Sequence, residues 1–467
     1  MVFSSSIFLY AFLPAFLLLY FLAPGRLRSL AIALGSFVFY GWWKPEFVLL
    51  LLFSSVVDYW LGGRIARDRS TGRGNGRRWL VLSLITNLGL LGYFKYANFG
   101  VESLRAVLHG LGLAGDFEWT TVVLPIGISF YTFQTMSYTI DLYRGEVQPA
   151  TRFVDFLCYV SMFPQLVAGP IVRYSVVEAE LRSRRVTWDK LYQGVLFFQV
   201  GLVKKILLAD TMAEFANGAF GPLNADGLAC LDAWLGAVGY AFQIYFDFSG
   251  YSDMAIGLGL MLGFHFPINF DAPYKADSIT DFWRRWHISL STWLRDYLYV
   301  PLGGNRKGTL RTYANLTLTM LLGGLWHGAA WNFLAWGAYQ GFWLVIERLI
   351  GKRPWYGLAP RLLRVAITFV LVLFGWVLFR ARDLGHAVRY AATMLGGGGE
   401  AVLRDWGPAP WVELCACAMI AFLLPTSQRL VPRSRTTFVL LLQLAFVFAA
   451  LHVRQAPDDI PFLYFRF

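Results

Sequence analysis

The chain has 467 residues, of which 57% are hydrophobic and 15% are charged, and its mean hydropathy is +0.50. This balance excludes a water-soluble globule and indicates a polytopic membrane protein, because each crossing of about 30 Å of hydrocarbon takes about 20 mostly apolar residues. The net charge of +12 would favour nucleic acid as a partner of a soluble domain. In a membrane protein, the positive net charge is explained by basic loops on the cytoplasmic side, so no nucleic-acid partner is expected.

Three apolar runs open the chain, at residues 2–21, 30–43 and 47–61. The first lacks the basic stretch and cleavage site of a signal peptide and is therefore predicted to remain as a span. The segment 64–78 follows, with six arginines against one aspartate. The positive-inside rule predicts that this loop is cytoplasmic and, counting back three spans, that the N-terminus lies on the opposite side of the membrane.

Further spans are predicted at residues 79–96 and 122–140, and the apolar run 153–172 contains Pro164. Proline within such a run leaves backbone groups that only protein or trapped water can satisfy, which predicts a re-entrant or kinked element. Counting every earlier run as one crossing would place the basic loop 173–190 outside the cell. The positive charge of this loop predicts the cytoplasmic side instead, so the two agree only if one earlier element does not cross the membrane.

Lys204 and Lys205 lie near the end of the next apolar run, 191–208. Two interpretations are open. The lysines extend to the membrane interface, as lysines at helix ends commonly do, or they anchor a phosphate-bearing donor.

The run 229–264 is too long for one crossing, and we predict that it breaks at the polar segment 247–253. Charged side chains such as those of Asp247 and Asp253 cost free energy inside a segment that is apolar enough to lie in the membrane. They either line a watered, protein-enclosed space or cap two half-helices through side-chain hydrogen bonds, and the two roles are compatible.

The segment 322–332 places His327 inside a long apolar run. An ionisable side chain at membrane depth indicates a functional site with a partner. The predicted partner is His287, in the segment 281–299, where apolar and aromatic residues recur at helical spacing. On one continuous helix His287 falls within that stripe, so the two histidines can face each other.

The helix that carries His287 is predicted to begin at an N-cap, Ser278 or Thr280. Its aromatic stripe and basic opposite face fit an interfacial element on the cytoplasmic surface. The glycines and bases of the segment 303–307 are either a phosphate cradle or a plain positive-inside loop. Spans near 365–379, 411–424 and 438–452 complete the chain.

A histidine of near-neutral pKa can take a proton from a hydroxyl and return it to a leaving group, and a thioester donor suits this chemistry. His327 is the candidate base, and His287 can position it, polarise the acyl carbonyl or steady an oxyanion. Gly323 and Gly324 precede His327 on its helix. They leave the helix face bare for a substrate, or Gly324 and Gly328 form a close helix contact.

At these two histidine motifs the sequence resembles the membrane-bound O-acyltransferase superfamily, in the bacterial branch that serves alginate O-acetylation. The resemblance covers nearly the whole chain. Besides the histidine motifs, it rests on blocks at residues 1–5, 92–99, 124–131, 245–255 and 461–467. Gln340 is a departure, since relatives often carry histidine there, and it puts any role of that third position in doubt.

The resemblance implies an all-α polytopic membrane protein: a ring of about 10–12 transmembrane helices plus re-entrant and interfacial helices around a central tunnel. A single acyltransferase domain would span 1–467, with N-terminal spans at 1–172, a catalytic core at 191–346 and C-terminal spans at 363–452. His327 would lie at the waist of the tunnel as the family's invariant histidine, with His287 as the second motif residue. Lining candidates are Asp247, Ser249, Tyr251, Asp253, Trp286, Ser291, Trp326 and Asn332, and donor-phosphate candidates are Lys204, Lys205, Arg284, Arg285, Arg306 and Lys307.

The resemblance further implies a location in the bacterial inner membrane, with the N-terminus in the periplasm. It also implies acetyl-CoA as a cytoplasmic donor, with no metal and no tightly bound cofactor. The acetyl group would leave toward the periplasm through a partner protein, for an exported polysaccharide such as alginate. Cellulose, peptidoglycan and D-alanine transfer remain alternatives of the same chemistry. A proton-coupled transporter or flippase using His327 and Asp253 is the alternative of a different class, although no inverted repeat supports it.

Overall fold

The computed structural model describes residues 1–72, 74–113, 115, 117–221, 227–351, 353–397, 406–455 and 462–463, except for the side chain of residue 409. Helices are the only regular elements within these ranges. The described chain forms two compact units, one of Met1–Leu191 with Gly259–Phe266 and one of Tyr192–Leu258 with Pro267–Phe467. The predicted all-α class is confirmed. The predicted division into N-terminal spans, a catalytic core and C-terminal spans, with boundaries at 172, 191, 346 and 363, remains a prediction.

The first unit consists of short and medium helices, two of which contain a π-helical turn. Its elements are Phe8–Phe12 (π), Leu13–Leu22, Gly25–Leu27 (3-10), Arg28–Gly41, Glu46–Thr71, Arg77–Leu91, Gly92–Tyr96 (π), Ala97–Gly110, Ile128–Arg144, Phe153–Ser161, Phe163–Leu166 and Tyr174–Arg182.

The second unit holds most of the remaining helices and both candidate histidines. Its elements, of which the first and fourth extend into the first unit, are Trp188–Val203, Lys204–Ala209 (π), Asp210–Phe220, Cys230–Met261, Pro273–Lys275 (3-10), Ile279–Arg285, Ile288–Leu294, Arg295–Tyr299 (π), Thr309–His327, Trp331–Leu349, Arg361–Arg380, Leu384–Met394, Pro408–Phe422, Ser427–Leu430, Val431–Arg433 (3-10) and Thr436–Gln455.

Several helices are suited to a bilayer. Among the described residues, four are long and apolar enough to cross it, namely Glu46–Ser70, Arg77–Gly110, Arg361–Arg380 and Thr436–Gln455, and the bent pair Pro410–Phe422 and Ser427–Arg433 would make a fifth. The polytopic class is therefore confirmed. The predicted 10–12 spans, the ring and the tunnel stay predictions.

Two sequence predictions about helix breaks have opposite outcomes. The break near Pro164 is confirmed, because the helix Phe153–Ser161 stops and a short turn, Phe163–Leu166, follows. The predicted break at residues 247–253 is wrong: Cys230–Met261 is one unbroken helix of 32 residues. Its carboxylates are neutralised by lysines of another helix, so the backbone needs neither a break nor a cap at this point.

The basic loop predicted at residues 64–78 is also shorter than expected. The helix Glu46–Thr71 continues through the first three arginines and ends at Gly72, which has a φ of 64°. Arg69 donates hydrogen bonds to the carbonyls of Leu142 (2.6 Å) and Tyr143 (2.9 Å). Arginine is a good helix former, and these bonds satisfy carbonyls at the end of a neighbouring helix.

Candidate active site

His327 is the last residue of the helix Thr309–His327 and is only 5% exposed. Gly328 takes extended dihedrals and ends that helix. The next helix, Trp331–Leu349, packs closely against it: a Cβ at Gly324 would collide with the carbonyl of Phe333. The packing interpretation of Gly324 is therefore confirmed, and this close contact fixes the turn that carries His327.

His287 does not lie within a continuous helix, as the sequence periodicity had predicted. One helix, Ile279–Arg285, ends just before it and another, Ile288–Leu294, begins just after it. His287 itself has φ 42° and ψ 55°, in the left-handed region. The predicted N-cap is confirmed for Ser278, whose hydroxyl accepts from the N–H of Asp281 at 3.1 Å.

The break at His287 is held open by the segment around Asn269. The carbonyl of Asn269 accepts from the N–H of Ile288 at 3.0 Å, and its side-chain oxygen accepts from both the N–H (3.2 Å) and the hydroxyl (2.6 Å) of Ser289. The Asn269 amide also donates to the Ser252 hydroxyl at 3.1 Å. On the other side of the break, the N–H of Asp271 donates to the carbonyl of Arg285 at 3.0 Å. These bonds replace those that a continuous helix would have made.

The two histidines lie close together. Their ring centroids are 6.2 Å apart with an interplanar angle of 54°. His287 is fully buried, and the Trp326 ring lies 5.9 Å from its ring and 5.0 Å from that of His327. The predicted proximity of the pair is therefore confirmed.

Aromatic side chains enclose this pair. The ring of His327 has edge contacts with Trp336 at 5.2 Å and with Phe379 at 5.3 Å, while Phe248 meets His287 edge-on at 4.7 Å. All three aromatic residues are buried. Such surroundings exclude water and strengthen hydrogen bonds and charges that develop during a reaction. Because Phe379 belongs to the last turn of Arg361–Arg380, His327 lies beside an end of that span and not beside its middle.

The acidic lining candidates, Asp247 and Asp253, form ion pairs with the two lysines, Lys205 and Lys204. Lys205 is within 2.8 Å of Asp247 and 2.6 Å of Asp210, and its side chain is 2% exposed. Lys204 is 2.6 Å from Asp253. Asp247 also accepts from the N–H of Leu463 at 2.9 Å.

These pairs revise two sequence interpretations. Lys205 does not extend to an interface, since its ammonium is buried between carboxylates. Asp247 and Asp253 do not cap half-helices, since they lie within one helix. Lining of a tunnel by the carboxylates, and donor-phosphate binding by the lysines, remain predictions that must be compatible with ion pairing.

The other lining candidates are divided between structural contacts and the site. Trp326 contacts both histidines, whereas Trp286 packs in an adjacent aromatic cluster, 5.0 Å from Phe270 and 4.8 Å from Trp376. Asn332 donates to the carbonyl of Ala381 at 2.9 Å. Ser291 lies one helical turn after His287: its N–H donates to the carbonyl of His287 at 3.0 Å and its hydroxyl to the carbonyl of Trp286 at 3.3 Å. Tyr251 has an edge-to-face contact with Phe462 at 4.8 Å, and Ser249 is buried.

The remaining phosphate candidates lie on or near the surface. Arg284 is exposed, and Arg285 pairs with Asp281 at 2.8 Å. Arg306 and Lys307 are exposed in a loop whose Gly304 carbonyl accepts from the amide of Asn315 at 3.1 Å. Whether any of them binds a donor remains a prediction.

A cavity of about 160 Å³ opens beside the Lys204–Asp253 pair. Its lining is mostly apolar and includes Lys204, Tyr245 and Ser427, and the Ser427 hydroxyl donates to Asp253 at 2.9 Å. Neither histidine lines this cavity. It therefore belongs to the ion-pair region and not to the histidine site.

Sequence reasoning missed Asn269 and the aromatic neighbours Phe248, Trp336 and Phe379. No local signal marks Asn269, because its hydrogen bonds reach a segment about twenty residues later. The three aromatic residues are spread among many others, and only their packing distinguishes them. Gln340, at the position of the doubtful third histidine, accepts from the indole of Trp283 at 3.2 Å and is buried.

The fold and the site define the class as an all-α, multi-pass membrane protein with an enclosed histidine pair. Sequence comparison specifies this class. The sequence model of one protein family, MBOAT (membrane-bound O-acyltransferase), matches residues 150–379. These residues include both histidines and most of the residues that surround them. The chain belongs to this family and is an O-acyltransferase.

Three relatives illustrate the similarity. A probable alginate O-acetylase of Pseudomonas aeruginosa is 51% identical over 401 residues, covering 85% of this chain and 75% of the relative. One of Azotobacter vinelandii is 51% identical over 410 residues, covering 87% and 79%. A peptidoglycan O-acetyltransferase of Helicobacter pylori is 37% identical over 430 residues, covering 85% and 80%.

Proposed function

We propose that this chain transfers the acetyl group of acetyl-CoA, taken from the cytoplasm, toward alginate outside the bacterial inner membrane. The observation that carries the proposal is the buried pair of His287 and His327, with centroids 6.2 Å apart, in a chain about 51% identical to probable alginate O-acetylases. A periplasmic protein would receive the acetyl group or present the polysaccharide. The N-terminus would lie in the periplasm, with the basic segment after Thr71 in the cytoplasm.

The proposed step uses His327 as the base. Its imidazole takes the proton of an acceptor hydroxyl as the hydroxyl oxygen attacks the thioester carbonyl, forming a new C–O bond. The C–S bond then breaks, and the coenzyme A thiolate receives the proton from the imidazolium. Products are an acetyl ester and the free thiol, so proton and electron pairs balance.

His287 would act on the other side of the reacting carbonyl. Its left-handed backbone lies at a break that the bonds from Asn269 to Ser289 hold in place, which fixes the position from which the ring extends. A fixed donor placed where negative charge develops stabilises the oxyanion without reorganisation during the reaction. His287 is therefore proposed to polarise the carbonyl, and His327 to move the proton.

The test uses purified protein with [¹⁴C-acetyl]-CoA and, in parallel, deacetylated alginate or peptidoglycan fragments, each with and without a periplasmic extract of an alginate-producing bacterium. Label in alginate supports the proposal. Label only in peptidoglycan would assign the acceptor of the Helicobacter pylori relative instead. Movement of glycan across proteoliposomes without acetyl transfer would favour the transporter alternative and contradict the proposed reaction.

A further inference from the structure

A second site lies in the first unit, outside residues 150–379 except at its rim and independent of the proposed reaction. It is a cavity of about 340 Å³ at the end of the apolar helix Glu46–Ser70. The cavity is lined by Tyr59, Trp60, Gly63, Arg64, Arg67, Tyr138, Pro149 and Ala150. Its lining thus combines two cations with aromatic rings.

The two arginines of this cavity are available to a ligand. Neither Arg64 nor Arg67 has a carboxylate partner among the described residues. Asp68, the acidic residue between them, is instead 3.7 Å from Arg78 and accepts from the indole of Trp79 at 3.0 Å. Two exposed guanidinium groups one helical turn apart are well suited to a phosphate, which arginine binds through parallel N–H donors.

Aromatic contacts hold one arginine at the mouth of the cavity. The Arg64 guanidinium lies 5.0 Å from the ring centroid of Trp60 and 5.8 Å from that of Trp79. Gly63 also lines the cavity, and the space beside it is open, because a Cβ built at Gly63 would have no atom within 4 Å. The Tyr59 hydroxyl donates to the carbonyl of Thr151 at 3.4 Å and ties the rim to the helix.

An apolar stripe leads to the arginines along the same helix face. Leu49, Phe53, Val56 and Trp60 are all exposed, and Arg64 and Arg67 continue the same spacing of three and four residues. This order, apolar side chains followed by an aromatic ring and then cations, matches an acyl chain followed by an anionic headgroup. A soluble phosphate ligand would have no use for the apolar stripe.

We propose that this cavity binds the phosphate headgroup of an anionic phospholipid, whose acyl chain lies along the stripe. Basic pockets between helices at the cytoplasmic surface are suited to such headgroups, and each basic side chain near an anionic membrane strengthens binding about fivefold. Two arginines acting together would favour phosphatidylglycerol over phosphatidylcholine roughly 30-fold.

Native mass spectrometry of the purified protein, mixed with equal amounts of phosphatidylglycerol and phosphatidylcholine, tests the proposal. Wild type should retain one phosphatidylglycerol preferentially, and the double variant Arg64→Gln/Arg67→Gln should lose that preference. Arg64→Lys/Arg67→Lys should keep part of it. Gly63→Phe, which fills the cavity and retains both cations, should lose it as well.

The control Arg433→Gln/Arg435→Gln removes the same charge from exposed residues outside the cavity and should bind lipid like wild type. Equal loss of preference in this control would show general charge attraction and overturn the site. Preferential retention in all variants would overturn it too. A further arm replaces lipid by acetyl-CoA, and Arg64-dependent binding of acetyl-CoA without any lipid preference would show that the phosphate comes from a soluble ligand and contradict the proposal.

Discussion

The centroids of the His287 and His327 rings lie 6.2 Å apart and the ring planes meet at 54°, yet different kinds of interaction fix the two residues in place. His327 ends a helix that is fixed by close packing at Gly324, whereas His287 occupies a break between two short helices that is fixed by hydrogen bonds. The pair can therefore be disturbed from either side without removing an imidazole.

The left-handed backbone at His287 predicts an unusual order of stability among substitutions. His287→Asn should melt closer to wild type than His287→Val, because asparagine adopts positive φ readily. His287→Val should be less stable than His287→Asn by about 1–2 kcal/mol, since a β-branched side chain is strained there. Thermal unfolding in detergent measures this order, and a valine variant as stable as the asparagine variant would contradict the backbone assignment. Both variants should lose most acetyl transfer.

Asn269 is predicted to act as a positioning residue for His287. Asn269→Ala removes the acceptor for two groups of Ser289 and should lower kcat at least about tenfold with little change in KM, since a small displacement of a reacting group can cost as much as 10²-fold. Asn87→Ala is a matched control, because Asn87 is also buried and donates to Asp58 at 2.8 Å in the first unit. Equal kcat in both variants, corrected for folded protein, would show that Asn269 is only structural.

The Lys205–Asp247 ion pair predicts a strong coupling in stability. Lys205→Met leaves Asp247 without its buried cation and should cost about 3–5 kcal/mol, whereas Lys205→Met/Asp247→Asn should recover part of that loss. A double-mutant cycle from unfolding in detergent measures the coupling, expected to exceed about 1 kcal/mol. Additive effects would indicate that the two charges are independently solvated.

The two glycines before His327 should respond differently to alanine. Gly324→Ala places a methyl group against the backbone of Phe333 and should destabilise the protein by about 1–3 kcal/mol. Gly323→Ala meets only the flexible Leu294 side chain at 3.3 Å and should fold normally. Melting temperatures of the two variants check this contrast. Loss of activity in a well-folded Gly323→Ala would support the alternative that this face admits substrate.

The sequence predicted the helical class, the break near Pro164 and the meeting of the two histidines, because hydrophobic periodicity and buried ionisable residues are local signals. It did not predict the left-handed residue His287, whose conformation depends on bonds from Asn269. Aromatic residues recur at helical spacing on both sides of His287. This pattern is the one expected of a single continuous helix, so it does not indicate the break.

Charge pairing was equally hidden from the sequence. Lysines and aspartates in apolar segments were recognised as costly, but the partners in the pairs Lys204–Asp253 and Lys205–Asp247 lie more than forty residues apart. Each charge taken alone indicated an interface, a cap or a ligand site. Pairing Lys204 with Asp253 and Lys205 with Asp247 satisfies all four charges within the protein.

The central claim, histidine-dependent acetyl transfer, is tested most directly by acetyl turnover from [¹⁴C-acetyl]-CoA in wild type, His327→Ala and His109→Ala. His109 is an exposed histidine in the first unit and serves as the matched control. Loss of a general base predicts a fall of about 10²–10⁴-fold in His327→Ala, with His109→Ala near wild type and both variants folded. Full turnover in a well-folded His327→Ala would contradict the account.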